Sequence, residues 1–155
     1  MPVKSFAVAL CASLIAASGL HATGVSFLVM ETGLPAGDAA SQYSALWENG
    51  LMEAFFESGR IVSNAPRIRL ADATVPDGFP PEAERDYREA RDGGMDYFLI
   101  AIVDHPSHDV SLRLFSTRSK DMIAKKAHVG AAAWNTREER ENIRRAVMAM
   151  AAFLR

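Results

Sequence analysis

The sequence predicts an α/β (α+β) fold, a mixed sheet with helices packed on it in the order β-α-β-α-β-β-β-α. Three observations carry that reading. Residues 25–30 (VSFLVM) and 95–103 (MDYFLIAIV) are short, almost unbroken apolar runs bounded by turn residues, as expected of strands buried on both faces. Residues 38–58 place Tyr43, Trp47, Leu51 and Phe55 at spacings of four, the period of one helix face. Ile143, Val147, Met150 and Leu154, at spacings of four, three and four, give the clearest amphipathic helix of the chain.

In chain order, the first run reads as a central strand, with Gly24 before it and Thr32, Gly33 and Pro35 after it. The next helix adds a flanking apolar row at Leu46, Met52 and Phe56 and stops at Gly59. It contains Gly50, which costs about 1 kcal/mol of helix propensity relative to Ala and signals either a close backbone approach or a tolerated weakness. Residues 60–64 and 67–70 look extended, and Pro66 between them marks an irregular, edge-like continuation. After a loop at 74–81, residues 82–92 form a polar helix that packs through Ala83, Tyr87 and Ala90 and ends at Gly93 and Gly94.

Residues 110–115 alternate, with Val110, Leu112 and Leu114 inward and Ser111 and Arg113 outward, and they pair with 95–103 as a hairpin through 104–109. A turn at 117–121 leads to a further strand at 122–134, whose Ala-rich second half could pack closely under a helix. Thr136 and Glu139 read as a Thr-x-x-Glu capping box that opens the closing helix. Helices over one face of the sheet is the economical packing.

The leading segment, residues 1–22, has the layout of a secretory signal peptide: a positive start at Lys4, an apolar run at 6–17, then small residues up to Ala22. That run of twelve residues spans only about 18 Å as a helix, short of the roughly 30 Å hydrocarbon core, so no stable membrane span is expected. Export to the periplasm or beyond follows, with residues 23–155 as a single α/β domain. Cys11 is preceded by Leu10 rather than a small residue, which disfavours lipidation. The exported chain then holds no Cys, which removes disulfides, Cys-ligated zinc and thiol catalysis. Its formal balance, 16 basic against 19 acidic residues once Lys4 is gone, argues against a nucleic-acid partner.

The densest group of chemically capable side chains is Asp104, His105, His108 and Asp109 in one short connection, a candidate site for a divalent metal or for proton exchange. The plain alternative is a polar hairpin loop, since Asp, Pro and Ser are what turns favour. Glu31 closes the first strand, where α/β sheets collect ligands, and could pair with Asp104 or simply pair near the following helix. Arg137, Arg140, Arg144 and Arg145 are interleaved with Glu138, Glu139 and Glu141 and read as a solvated face. Trp134, beside the last helix, is either a staple to it or an anchor for a partner. No phosphate-binding glycine motif or common hydrolase signature occurs, so no cofactor is expected.

The order of elements, with VSFLVM, LWENGLMEAFFESG, IVSN and GGMDYFLIAIVD in succession, resembles a group of exported bacterial accessory domains. These are the amino-terminal domain of TolB, the curli-secretion lipoprotein and the lipoprotein activators of penicillin-binding proteins. The likeness is one of architecture, so it transfers no functional residues. It implies a non-catalytic envelope module that binds another envelope protein or assembly. Two other classes stand beside it: a metal-dependent or acid/base hydrolase using residues 104–109, and a small-ligand carrier with an apolar pocket beside the first helix.

Overall fold

The computed structural model describes residues 22–34, 38–71, 75–131 and 133–154. The leader read over residues 1–22 therefore lies, apart from Ala22, outside the described residues. The elements are β1 (Gly24–Thr32), α1 (Asp38–Glu57), β2 (Ile61–Asn64), β3 (Ile68–Arg69), a 3-10 turn (Pro81–Ala83), α2 (Glu84–Asp92), β4 (Tyr97–Asp104), β5 (Asp109–Ser116), β6 (Met122–His128) and α3 (Thr136–Ala151). The sheet runs β2-β1-β4-β5-β6, with β3 also paired to β1. β1 is parallel to β2, β3 and β4, and β4, β5 and β6 form an antiparallel meander.

β1 is apolar without alternation because it has neighbours on both edges and cover on both faces, and every one of its residues is buried. Its odd-numbered side chains, Val25, Phe27 and Val29, join Leu99, Ala101, Leu112 and Leu114 beneath α1 and α3. Tyr43, Trp47, Leu51 and Phe55 meet them from α1, and Ile143, Val147 and Met150 from α3. Phe56, read as part of the flanking apolar row, points to solvent instead. Gly50 is a place of close approach: a Cβ there would stand 2.7 Å from Ile143 Cγ2.

Helices do not cover one face alone, as the sequence suggested. The other face carries a second core in which Leu28, Met30, Phe98, Ile100 and Phe115 pack under Ala83, Tyr87 and Ala90 of the α2 region, with Phe79 laid against them. Phe79 meets Tyr87 and Phe115 edge-on at ring separations of 5.2 and 5.0 Å. The alternation along β5 thus separates two covered faces, and Arg113, expected outside, is buried.

Two boundaries also move. β6 ends at His128 rather than at 134, because the chain leaves the sheet at Gly130. That glycine lies so close to His108 that a Cβ would stand 2.1 Å from its carbonyl oxygen, and its N–H donates to Asp109 Oδ1 at 2.8 Å. The cap of α3 is Asn135, not Thr136: its Oδ1 accepts from the Glu138 N–H at 2.8 Å, and its Nδ2 donates to Glu138 Oε2 at 2.9 Å. Glu139 is thereby released to turn inward. Among the described residues no helix is long and apolar enough to cross a membrane.

Candidate functional site

The carboxyl ends of β1 and β4 carry one cluster of buried polar groups, Glu31, Thr32 and His105. Glu31 pairs in register with Val103, so its side chain lies on the α1 face of the sheet. One oxygen accepts from Arg69 Nε at 3.1 Å; the other stands 3.5 Å from Arg67 Nη1 and 3.5 Å from His105 Nε2. Arg67 also reaches Glu48 of α1 at 3.1 Å. Ser44 of α1, next to Tyr43 in the chain, places Oγ 3.1 Å from the same His105 nitrogen.

Serine, histidine and glutamate within contact suggest a nucleophile relay, but the geometry is not that of one. A relay needs the carboxylate on one ring nitrogen and the hydroxyl on the other. Here both meet Nε2, and Nδ1 is buried with no hydrogen-bond partner among the described residues. Glu31 is 1%, His105 3% and Ser44 0% exposed, so no substrate atom reaches the hydroxyl. Burial pushes the His105 imidazole below its ordinary pKa, with the Glu31 carboxylate opposing that shift. The group works as a polar latch that ties β1, α1 and the residues after β4 together.

A second latch centres on Glu139. Its Oε1 accepts from Tyr43 Oη at 2.6 Å and Trp47 Nε1 at 3.1 Å, and it stands 3.0 Å from His128 Nε2. Its Oε2 accepts from Asn142 Nδ2 at 3.1 Å. Tyr43 Oη also lies 2.9 Å from the His108 carbonyl oxygen. Burial, first, and the neighbouring Glu139 carboxylate push the Tyr43 phenol well above its ordinary value. One carboxylate thus joins α1, β6 and α3.

The structure does not bring the four candidate ligands together. His105 turns under α1 to Glu31, whereas Asp104, in register with Thr32, has Oδ1 accepting from Thr32 Oγ1 at 3.1 Å and Oδ2 from Ser107 Oγ at 2.6 Å. His108 takes the left-handed conformation, φ 58°, and sets its ring 4.9 Å from that of Tyr43, while Asp109 holds the Gly130 N–H. Among the described residues no group of three or more His, Cys, Asp or Glu side chains is placed to hold a metal ion. Glu31 and Asp104 point to opposite faces of the sheet and form no acid/base pair. Trp134 is half-buried with its ring 5.2 Å from Tyr43.

Sequence reasoning missed Arg113 and the role of Glu139. Arg113 is 4% exposed, and its Nη1 donates to the carbonyl oxygens of Pro76 and of Gly78, the latter at 2.9 Å, fastening the loop before α2 across the sheet. The signal available was an arginine between Leu112 and Leu114 in a strand next to a fully apolar one.

No family model and no curated protein matches this chain. Solved structures do. A point variant of the PelC dodecamer from Paraburkholderia phytofirmans is similar at 13% identity over 83% of this chain and 86% of that one, with a TM-score of 0.51. TolB from Acinetobacter baumannii follows at 8% identity, 81% of this chain and 28% of that one, TM-score 0.43. The LpoB C-terminal domain from Salmonella enterica is similar at 16% identity over 73% and 86%, TM-score 0.36. The architectural likeness expected from the order of elements is therefore found, and at these identities it establishes the fold, for which PelC carries the weight.

Proposed function

We propose that this chain is an exported, non-catalytic accessory module of the cell envelope that acts by binding another envelope protein or assembly. The observation that carries the reading is the closure of the Ser44, His105 and Glu31 latch: the best acid/base grouping in the described chain is spent on holding the fold. The signal-like leader supports export. PelC, whose fold the chain shares, forms a dodecamer, so a second copy of this chain is the first partner to test.

The test is photo-crosslinking in producing cells, with the reactive side chain placed at Phe56 or at Trp134 and adducts identified by mass spectrometry. The expected result is an adduct to one envelope protein, or to a second copy, on protein that has lost its leader. Recovery of the chain in the cytoplasm with its leader intact, or multiple turnover of a defined substrate by the purified protein, would overturn the proposal.

A further inference from the structure

The face of the sheet opposite α1 and α3 is only partly covered. Beyond Phe98 and Phe115 it opens into a cavity of about 260 Å³, bounded on one side by Val75 and reaching to the carboxyl end of β4. Its floor is the stretch of β5 that holds Ser111 and Arg113 on one face, with Ile102 in register beside Ser111. Asp104 and Asp109, opposite each other at the ends of β4 and β5, stand at the far end.

Two polar atoms of the residues that line this cavity are unfinished. Ser111 Oγ and Arg113 Nε are both buried with no hydrogen-bond partner among the described residues. Buried polar groups in native proteins are almost always paired, and each exception calls for a ligand, a water or a role. Arg113 is also a buried cation without a counter-ion of its own among the described residues. Its Nη1 is held by two neutral carbonyl groups, and Asp77, the carboxylate that acts on it, is ion-paired with Lys125 at 2.9 Å. A guanidinium so placed is suited to a planar carboxylate, which accepts from its fork. At the other end the chemistry is reversed: Asp104 and Asp109 already accept from Thr32, Ser107 and the Gly130 N–H, and the lone pairs that remain on their carboxylates accept and do not donate.

The spacing sets the ligand's size. Asp109 and Arg113 are four residues apart on one strand, about 13 Å between Cα atoms at the usual rise. A ligand that meets both side chains is longer than acetate, and a phosphate dianion is disfavoured by the two aspartates.

We propose that this cavity binds a small monocarboxylate bearing hydroxyl or ammonium donors at its far end, the carboxylate held by Arg113 and Ser111 and the donors by Asp104 and Asp109. This goes beyond a protein-binding role and does not depend on it. The two donor chemistries are separated by two probes, D-glucuronate for hydroxyl and 6-aminohexanoate for ammonium. D-glucose and hexanoate, each lacking one end, are the controls.

The experiment is titration of the purified full chain followed by NMR, reading the resonances of Ser111 and Arg113. At least one of the two probes is expected to shift them saturably with a Kd of about 1 mM or tighter, and both controls to bind at least about tenfold more weakly. Arg113→Gln abolishes the shift. Because Arg113 also fastens the loop, Ser111→Ala is the cleaner variant: an unpaired hydroxyl contributes nothing to folding, so its removal leaves the thermal midpoint unchanged or raised while weakening the probe several-fold. Absence of saturable binding by both probes, controls that bind as tightly, or binding unaltered by Ser111→Ala would each refute the site.

Discussion

Gly50 of α1 lies against Ile143 of α3 at a separation that leaves no room for a methyl group, since an added Cβ would stand 2.7 Å from Cγ2 and 3.3 Å from Cβ of the isoleucine. Those atoms are next to the α3 backbone and cannot swing aside as a flexible chain end would. Gly50→Ala gains about 1 kcal/mol of helix propensity but over-packs the joint between the helices, which costs about 1–3 kcal/mol. The expected net result in urea unfolding is a loss of up to about 2 kcal/mol, larger than for Ala at an exposed helix position. The pair Gly50→Ala, Ile143→Ala costs less than the sum of its two single variants, because the second change removes the Cγ2 that the added Cβ meets.

The start of α3 gives a prediction that separates two ways of reading TREE. Asn135→Ala removes the side chain that accepts from the Glu138 N–H and costs about 1 kcal/mol, whereas Thr136→Ala leaves stability within about 0.5 kcal/mol. Glu139→Ala behaves differently from both. It strands the Trp47 N–H in the core and leaves the Tyr43 hydroxyl with the His108 carbonyl alone, and loss of about 2 kcal/mol is expected. Chemical denaturation of the three single variants decides among them, and a Thr136→Ala cost equal to that of Asn135→Ala would contradict the cap seen here.

What could be read from the chain and what could not divides along a physical line. Periodicity reports which side chains are buried, and it placed β1, the Tyr43 to Phe55 stripe and the Ile143 to Leu154 stripe correctly, because burial on a single helix face or in a fully apolar strand leaves a direct mark. It does not report what buries them. Alternation in β5 looks the same whether the second face meets water or Phe79 and Tyr87, so Arg113 went unrecognised. Capping boxes one residue apart, Asn135 with Glu138 and Thr136 with Glu139, are equally legible as patterns; the choice falls to the tertiary partners that draw Glu139 inward. His105 and Asp104 are neighbours in sequence, but adjacent residues at a strand end face opposite sides of the sheet, which is why the polar hexapeptide does not converge on one centre.

The His105 latch makes stability depend on pH in a defined direction. An ordinary imidazole titrates near 6.5, and burial puts the folded His105 below that. Between the two values the unfolded chain binds the proton and the folded chain does not, so stability falls as pH drops below about 6.5, by at most about 1.4 kcal/mol per unit for this one group. Above that pH both states are neutral and the contribution is flat. Unfolding free energies measured from pH 7.5 down to 5.5 are expected to show this slope in the wild type and a shallower one in His105→Asn, which retains a side chain able to face Ser44. A wild type more stable at pH 5.5 than at 7.5 would mean that His105 is protonated in the fold and ion-paired with Glu31.

Phe55 and Phe56 are consecutive, chemically identical and oppositely placed: the first is fully buried beneath α3 and the second is 74% exposed. Phe55→Ala should therefore cost about 3–5 kcal/mol, while Phe56→Ser stays within about 0.5 kcal/mol of the wild type. An exposed phenylalanine is common enough on protein surfaces that its presence alone assigns no role. Its neutrality in folding is what makes it useful, because any loss of function in Phe56→Ser cannot be charged to an unfolded protein. If this end of α1 contributes to a contact with an envelope partner or a second copy, Phe56→Ser weakens that association at unchanged thermal midpoint, as read by crosslinking yield in cells and by mass photometry of the purified chain. Equal association of wild type and variant would move the contact away from α1.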